Sequence, residues 1–484
     1  MSAPAPSRIR RATGRRTPAA MSQSPDPATR APAETKPPRW DATSVLTVYA
    51  GLVMLAPATQ TVANLGALGA PATIYSVLAF LWFLAGRLTG RLTLDPASGS
   101  VRKAMCVLTA AFTLSYIGLS GRSASVLETQ AADRALILML IWCGLVVVAS
   151  AGITDRARLD TLLRRLVLFG TIVAAIGILE FFSGWQLTEH LIIPGLSTNV
   201  DPAATGARGG HLRAQATTTQ PLEFGAVIAI HLPFAIQQAG DPARRGPGLR
   251  AMLRRYAPVT IMIISLPMTV SRTAIIGLVV VLAVLLPSWP KRRRRPAYVM
   301  TLFGAAAVRV LVPGLLGTIM VLFSSASGNA DNSTQARTKD YAGVAPYIQQ
   351  RPWFGRGPAT FIPILYRYTD DYYLLALVEI GIVGVLAILV VYFTGIRAGR
   401  LGRRLSGDEA YRDLGQCFAA AFAVMLVISA TFDTLSFPML SGLFFLLFGC
   451  SGAYLGIARS EAAKADRAAK AAPRPATTTR AGAE

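Results

Sequence analysis

Four arginines and three carboxylates stand where this sequence could do chemistry. Arg213 opens Arg213-Ala-Gln-Ala-Thr-Thr-Thr-Gln and then Pro221-Leu-Glu223. Arg272 follows Ser271 between two apolar runs, with no other charge beside it. Arg337 opens a long polar segment that reaches Arg356 through Arg351-Pro-Trp353-Phe-Gly355. Asp370 and Asp371 stand side by side ahead of Tyr372-Tyr373, and Glu379 follows two residues before Gly381. Guanidinium groups grip phosphate oxygens in a planar fork. Three threonines ahead of a Pro-initiated helix add hydroxyls where phosphate binds well. Two adjacent carboxylates, with Arg367 three residues away, can keep one of them competent as a base. The set therefore suits an anionic, phosphate-bearing substrate and a proton transfer. Each member also has an ordinary reading. Arg213 and the threonines would anchor a helix at headgroup level, and Arg272 would snorkel. The aromatic residues would form an interfacial belt, and the acidic pair would complement a helix dipole.

The elements that must position these groups follow from composition. The chain has 484 residues, 52% hydrophobic and only 15% charged, with a mean hydropathy of +0.45. A soluble protein carries about 25% charge, which excludes an ordinary cytoplasmic enzyme and a disordered scaffold. The net charge of +23 does not signal nucleic acid, because the basic residues fall between apolar segments. The expected fold class is all-α: a polytopic membrane helical bundle. Runs of about 20 apolar residues fall at 44–63, 70–88, 104–120, 134–152, 163–182, 221–238, 257–270, 272–289, 297–315, 372–395, 414–431 and 435–457. A hairpin over 257–289 is favoured over one long helix, which would leave Arg272 in lipid.

The positive-inside rule supports twelve helices. With the N-terminus inside, 23 Lys and Arg fall in inner loops and nine in outer ones. Both termini are then cytoplasmic, in a multi-pass plasma-membrane protein. Residues 1–40 read as a disordered basic tail on anionic lipid, residues 44–457 as the membrane domain, and 458–484 as a second tail. The tail 1–40 lacks the pattern of a signal peptide. Segment 337–350 reads as a short helix lying on the membrane.

Two outer loops, about 183–220 and 316–371, are too long to be connectors, so chemistry is expected outside. No ATP is available there, and a bond-forming reaction needs a donor already activated on a lipid. Three histidines, His190, His211 and His231, lack metal-ligand spacing, so neither metal nor cofactor is expected. His231 reads as a hydrogen-bonded bundle residue. Cys106, Cys143, Cys417 and Cys450 sit singly in apolar stretches and read as small buried hydrophobes.

In this order, Arg213…Gln-Pro221-Leu-Glu, SLPMTVSRTAIIGLVV, RTKDY…QQRPWFGRGPATF and YTDDYYLLALVEIGIVGVL resemble the O-antigen ligase / O-antigen polymerase superfamily. LGALGAPATIYSVLAFLWFL and FDTLSFPMLSGLFFLLFG share its character. The resemblance implies an integral membrane glycosyltransferase of the C-type with an outward-facing site. It would move a glycan from undecaprenyl diphosphate to an acceptor sugar hydroxyl, without metal or nucleotide sugar. Arg213 and Arg272 would then bind the donor pyrophosphate, and Arg337 would match the basic residue opening the long loop. Arg356 and Glu379 join the substrate-binding set, and Asp370 and Asp371 are the catalytic candidates. Ligases of this family usually carry His-Asn-x-Tyr-Leu at the head of the next helix. Here the residues are Asp370-Asp371-Tyr372-Tyr373-Leu374, nearer the Asp-Asn of polymerases, although Asp371 departs from both. The implied partners are the lipid-linked donor, a glycan acceptor, membrane lipids and other polysaccharide-assembly proteins.

Two other classes compete. A transporter or flippase would need charged or broken helices near the midplane, where only Arg309 and Glu180 are candidates. A polymerase of the cell-wall elongation and division type would share the architecture and differ in its donor.

Overall fold

Capping chemistry sets where the helices begin. In the computed structural model, Asp41 accepts the Ser44 amide at 2.8 Å and starts α1 (Ala42–Leu55). Pro71 starts α2 (Pro71–Leu88), and α3 (Gly99–Leu119) follows. Ser125 and Glu128 cap α4 (Val126–Gly152) reciprocally. Asp155 caps α5 (Arg156–Ser183), which Gly184 ends in the left-handed region. Pro221 starts α6 (Pro221–Gly240), followed by α7 (Leu249–Ser265) and α8 (Arg272–Leu285). Asp371 caps α9 (Tyr372–Glu379), and α10 (Gly381–Leu405) resumes after a break. Asp408 caps α11 (Glu409–Ile428), and Pro438 starts α12 (Pro438–Ala471). Two strands of two residues each, β1 (Gln60–Thr61) and β2 (Ser197–Thr198), pair antiparallel.

The structure describes residues 41–289 except 64, 91–97, 192, 199–211 and 243–245, and residues 343–471 except 370. Between these stretches it describes only 294–295, 298–299, 302 and 306. The expected span 297–315, Arg309, Arg337, Asp370, His211 and the tails 1–40 and 472–484 lie outside the described residues.

Eleven of the twelve expected segments coincide with described helices. Among the described residues, seven helices are long and apolar enough to cross a membrane. The chain is an all-α, polytopic membrane protein. Helix α12 lies at its centre, with every residue from Met439 to Ala458 buried, and α6 and α11 pack beside it. Leu78, Leu81 and Leu84 of α2 and Leu386, Val390 and Phe393 of α10 face outward. That distribution suits a bundle whose solvent is lipid. Between α10 and α11 small residues permit close approach, since a Cβ at Gly399 would lie 2.4 Å from the Gly415 carbonyl oxygen.

Three expectations change and one holds. The first segment is helical only to Leu55, because Pro57 and polar Thr59 to Thr61 leave the helix, and Gln60–Thr61 form β1. Residues 257–289 form two helices, as expected, and both pack on α6. Segment 372–395 is not one helix but α9 and α10, broken at Ile380. Cys106 is exposed on the surface of the bundle, whereas Cys417 and Cys450 are buried.

Candidate functional site

Helices α6, α8, α9 and α12 begin at one end of the bundle, termed here the mouth. The turn before α8 organises it. Residues 267–269 form a single 3₁₀ turn, and Val270 then takes φ 46°, a left-handed conformation unusual for a β-branched residue. Arg213 donates from Nε to the Thr269 carbonyl at 3.0 Å. The next amide, Ala214, donates to the Met268 carbonyl at 3.1 Å. Arg213 is thus held against the turn that carries Arg272, and both side chains are half-buried. The two arginines lie 59 positions apart in sequence and meet at one turn.

Buried carboxylates hold the strand of chain around Arg213. Glu180, at the end of α5, accepts the amides of Leu187, Gln215 and Ala216 at 2.9, 3.2 and 2.6 Å. Glu223 accepts the Thr219 amide and hydroxyl at 2.8 and 2.7 Å with one oxygen. Its other oxygen accepts the Met439 and Leu440 amides at 2.9 and 3.1 Å. The three threonines are therefore turned inward. Thr217 donates to the Met54 carbonyl, Thr218 to Gln215 and Thr219 to Glu223. They anchor a helix start, the ordinary alternative for them.

The loop between α11 and α12 closes the mouth. Thr273, next to Arg272, donates to the Thr431 hydroxyl at 3.0 Å. The Ser429 carbonyl accepts the Tyr372 amide at 3.0 Å. The Ser429 hydroxyl links Tyr392 and Thr434, each at 2.8 Å. A chain of direct bonds and neighbouring residues thus runs from Arg213 through Arg272 to the head of α9. Asp433 sits in the same loop. Ser436 hydrogen-bonds its carboxylate, and no donor reaches Oδ1 among the described residues. Burial, opposed by those Ser436 bonds, pushes this carboxyl up to about 6. Beside the loop is a cavity of about 230 Å³, lined by Thr61, Thr219, Gln220, Ser436 and Phe437.

A separate brace holds the segment 343–371. Helix 343–350 lays Val344 against Phe361, Leu374, Leu375 and Val378, with Tyr347 and Ile348 packed on that cluster. One side of this helix thus belongs to a small core shared with α9. Residues 352–357 insert at the α9–α10 break. The Arg356 and Gly357 amides donate to the Val378 and Glu379 carbonyls, and the Ile382 and Val383 amides donate to Pro352 and Trp353. Only glycine fits the crossing: a Cβ at Gly381, φ 67°, would lie 2.4 Å from the Trp353 carbonyl oxygen.

The expected site residues fare differently. Arg213 and Arg272 come together. Arg356 lies in the brace, stacked 4.9 Å from the Tyr347 ring and 5.1 Å from that of Tyr366. Arg356 approaches the Glu128 carboxylate at 3.7 Å, and Arg122 grips the same oxygen at 2.6 Å. Tyr366 also donates to that carboxylate, and burial and this bond push its phenol up. Glu379 accepts the Phe361 amide at 3.1 Å. Asp371 is the N-cap of α9, accepting the Tyr373 and Leu374 amides at 2.9 and 3.4 Å. Arg337 and Asp370 lie outside the described residues. Sequence reasoning overlooked Asp433, Glu128 and the anchoring role of Glu180 and Glu223. A signal for Asp433 existed, since it is the sole carboxylate between Asp413 and Glu461.

Residues 257–389 match the family model described as O-antigen ligase. They run from within α7 across the Arg272 turn and the brace into α10. No curated protein matches the chain.

Proposed function

We propose that the protein polymerises or ligates surface polysaccharide, and that it does so as a glycosyltransferase of the polymerase-like branch. It would transfer a glycan from undecaprenyl diphosphate to an acceptor sugar hydroxyl on the outer face of the plasma membrane. The convergence of Arg213 and Arg272 on one turn carries this reading. A departing lipid diphosphate gathers negative charge, which preorganised guanidinium groups stabilise as it forms. The opposite end of the bundle collects Arg156, Arg158, Arg164 and Arg165 on α5 and Arg397, Arg400, Arg403 and Arg404 on α10. By the positive-inside rule that end is cytoplasmic, so the mouth opens outward.

Within this reading the mouth holds the donor diphosphate and the acceptor enters beside it. The braced segment 343–371, with exposed Trp353 and Tyr368, supplies ring faces for sugars. The transporter alternative gains nothing from Glu180, which is committed to three loop amides. The test is conversion. The full chain in liposomes, given a polyprenyl-diphosphate-linked repeat, should yield longer lipid-linked or transferred glycan and free polyprenyl diphosphate. Movement of the intact donor across the bilayer without any new glycosidic bond would refute the proposal.

A further inference from the structure

We infer that Asp433 takes the proton from the attacking sugar hydroxyl. This rests on the reading of the chain as a transferase of lipid-linked glycan. The carboxylates at the head of α9 were the expected bases, but Asp371 spends Oδ1 on the Tyr373 and Leu374 amides of α9. Asp433 differs in three respects. First, its Oδ1 is buried, and no donor reaches it among the described residues. A buried acceptor without a donor is costly, and a hydroxyl that donates to it relieves that cost. Second, Ser436 fixes the carboxylate through its side chain and its amide, so the free oxygen has a defined direction. Third, its loop is tied on one side to the Arg272 turn by Thr273–Thr431 and on the other to α9 by Ser429–Tyr372. Ser436 also lines the cavity of about 230 Å³ whose other polar residues, Thr61, Thr219 and Gln220, are neutral. That chemistry suits a hydroxyl-rich ring rather than a phosphate.

The step balances without a metal or redox partner. The acceptor O–H gives its proton to Asp433 while its oxygen bonds to the anomeric carbon. The bond from that carbon to the diphosphate oxygen breaks, and its electron pair leaves with the lipid diphosphate. Asp433 then returns the proton to solvent. The titratable groups that face Asp433 are Tyr372 and Glu379 on α9 and Tyr392 on α10.

The experiment uses the full chain in membrane vesicles supplied with a polyprenyl-diphosphate-linked repeat. Asp433→Asn should keep protein abundance and lower the transfer rate by about 10²–10⁴-fold, the span of a lost general base. Asp433→Glu should recover part of the rate with a shifted pH profile. An Asp433→Asn rate within about threefold of wild type overturns the assignment and leaves the glycosyltransferase reading intact. Failure of the wild type to convert the donor overturns both. If Asp433→Asn does not accumulate, the wild-type pH profile decides. A rate that falls as pH drops through about 6 supports the assignment, and a flat profile between about 5 and 8 overturns it.

Discussion

The Glu223 carboxylate accepts the Met439 amide at 2.9 Å across 216 positions of sequence. Two central helices, α6 and α12, therefore begin on one buried carboxyl group. It accepts two of the amides that the start of α12 leaves unpaired and the Thr219 amide just ahead of α6.

Glu223→Ala strips the Thr219, Met439 and Leu440 amides of their acceptor. It should lower stability in detergent by about 3–5 kcal/mol, the cost of breaking a buried charged network. Glu223→Gln keeps one acceptor oxygen and should lose less. Thermal unfolding followed by size exclusion measures the difference, and equal loss in the two variants would argue against the shared cap.

Arg272→Lys keeps a positive charge at the mouth and removes the planar fork. Transfer should fall by about 10–100-fold, because a point charge does not replace a bidentate contact. Arg272→Ala should fall further, with lipid-linked single repeats accumulating. Expression and thermal midpoint should stay near wild type for both, because the α8 turn is held by Arg213 and backbone bonds.

Gly381→Ala drives a methyl into the Trp353 carbonyl oxygen in a backbone region that side chains avoid. A loss of about 2 kcal/mol or more follows from strain alone. The brace should loosen before the bundle does. Limited proteolysis within 343–371 should therefore accelerate while the core helices stay protected.

Asp433→Asn should stabilise the resting protein. The folded carboxyl is raised to about 6, against about 3.9 in an unfolded chain. The protonated form thus favours the fold. That contribution is complete below about pH 4 and is lost as pH rises through about 6. The variant should exceed wild type by about 1–3 kcal/mol at pH 8, the cost of an acceptor buried without a donor. The gap should close near pH 4. Melting curves across that range would detect the crossing.

The apolar periods made the bundle legible, and eleven of twelve segments were found from them. Arg272 was legible as well, because a lone charge between apolar runs stands out. Its meeting with Arg213 was not, since nothing in sequence spacing shows that residues 213–214 pair with 268–269. The approach of Arg356 to Glu128 was not legible either, because Glu128 lies on α4, more than two hundred positions away. The break at Ile380 was hidden for a similar reason. Hydropathy runs unbroken through 372–395, and the insertion that splits it is made by backbone bonds, which leave little compositional trace.

The notch at Ile380 also separates two tasks. Backbone amides and carbonyls index residues 352–357 to the end of α9 and the start of α10, while the side chains of Trp353, Phe354 and Tyr368 are exposed. Exchanging those three rings would leave the indexing untouched. Evolution is thereby free to change the chemistry of the exposed surface without rebuilding the backbone joint that carries it.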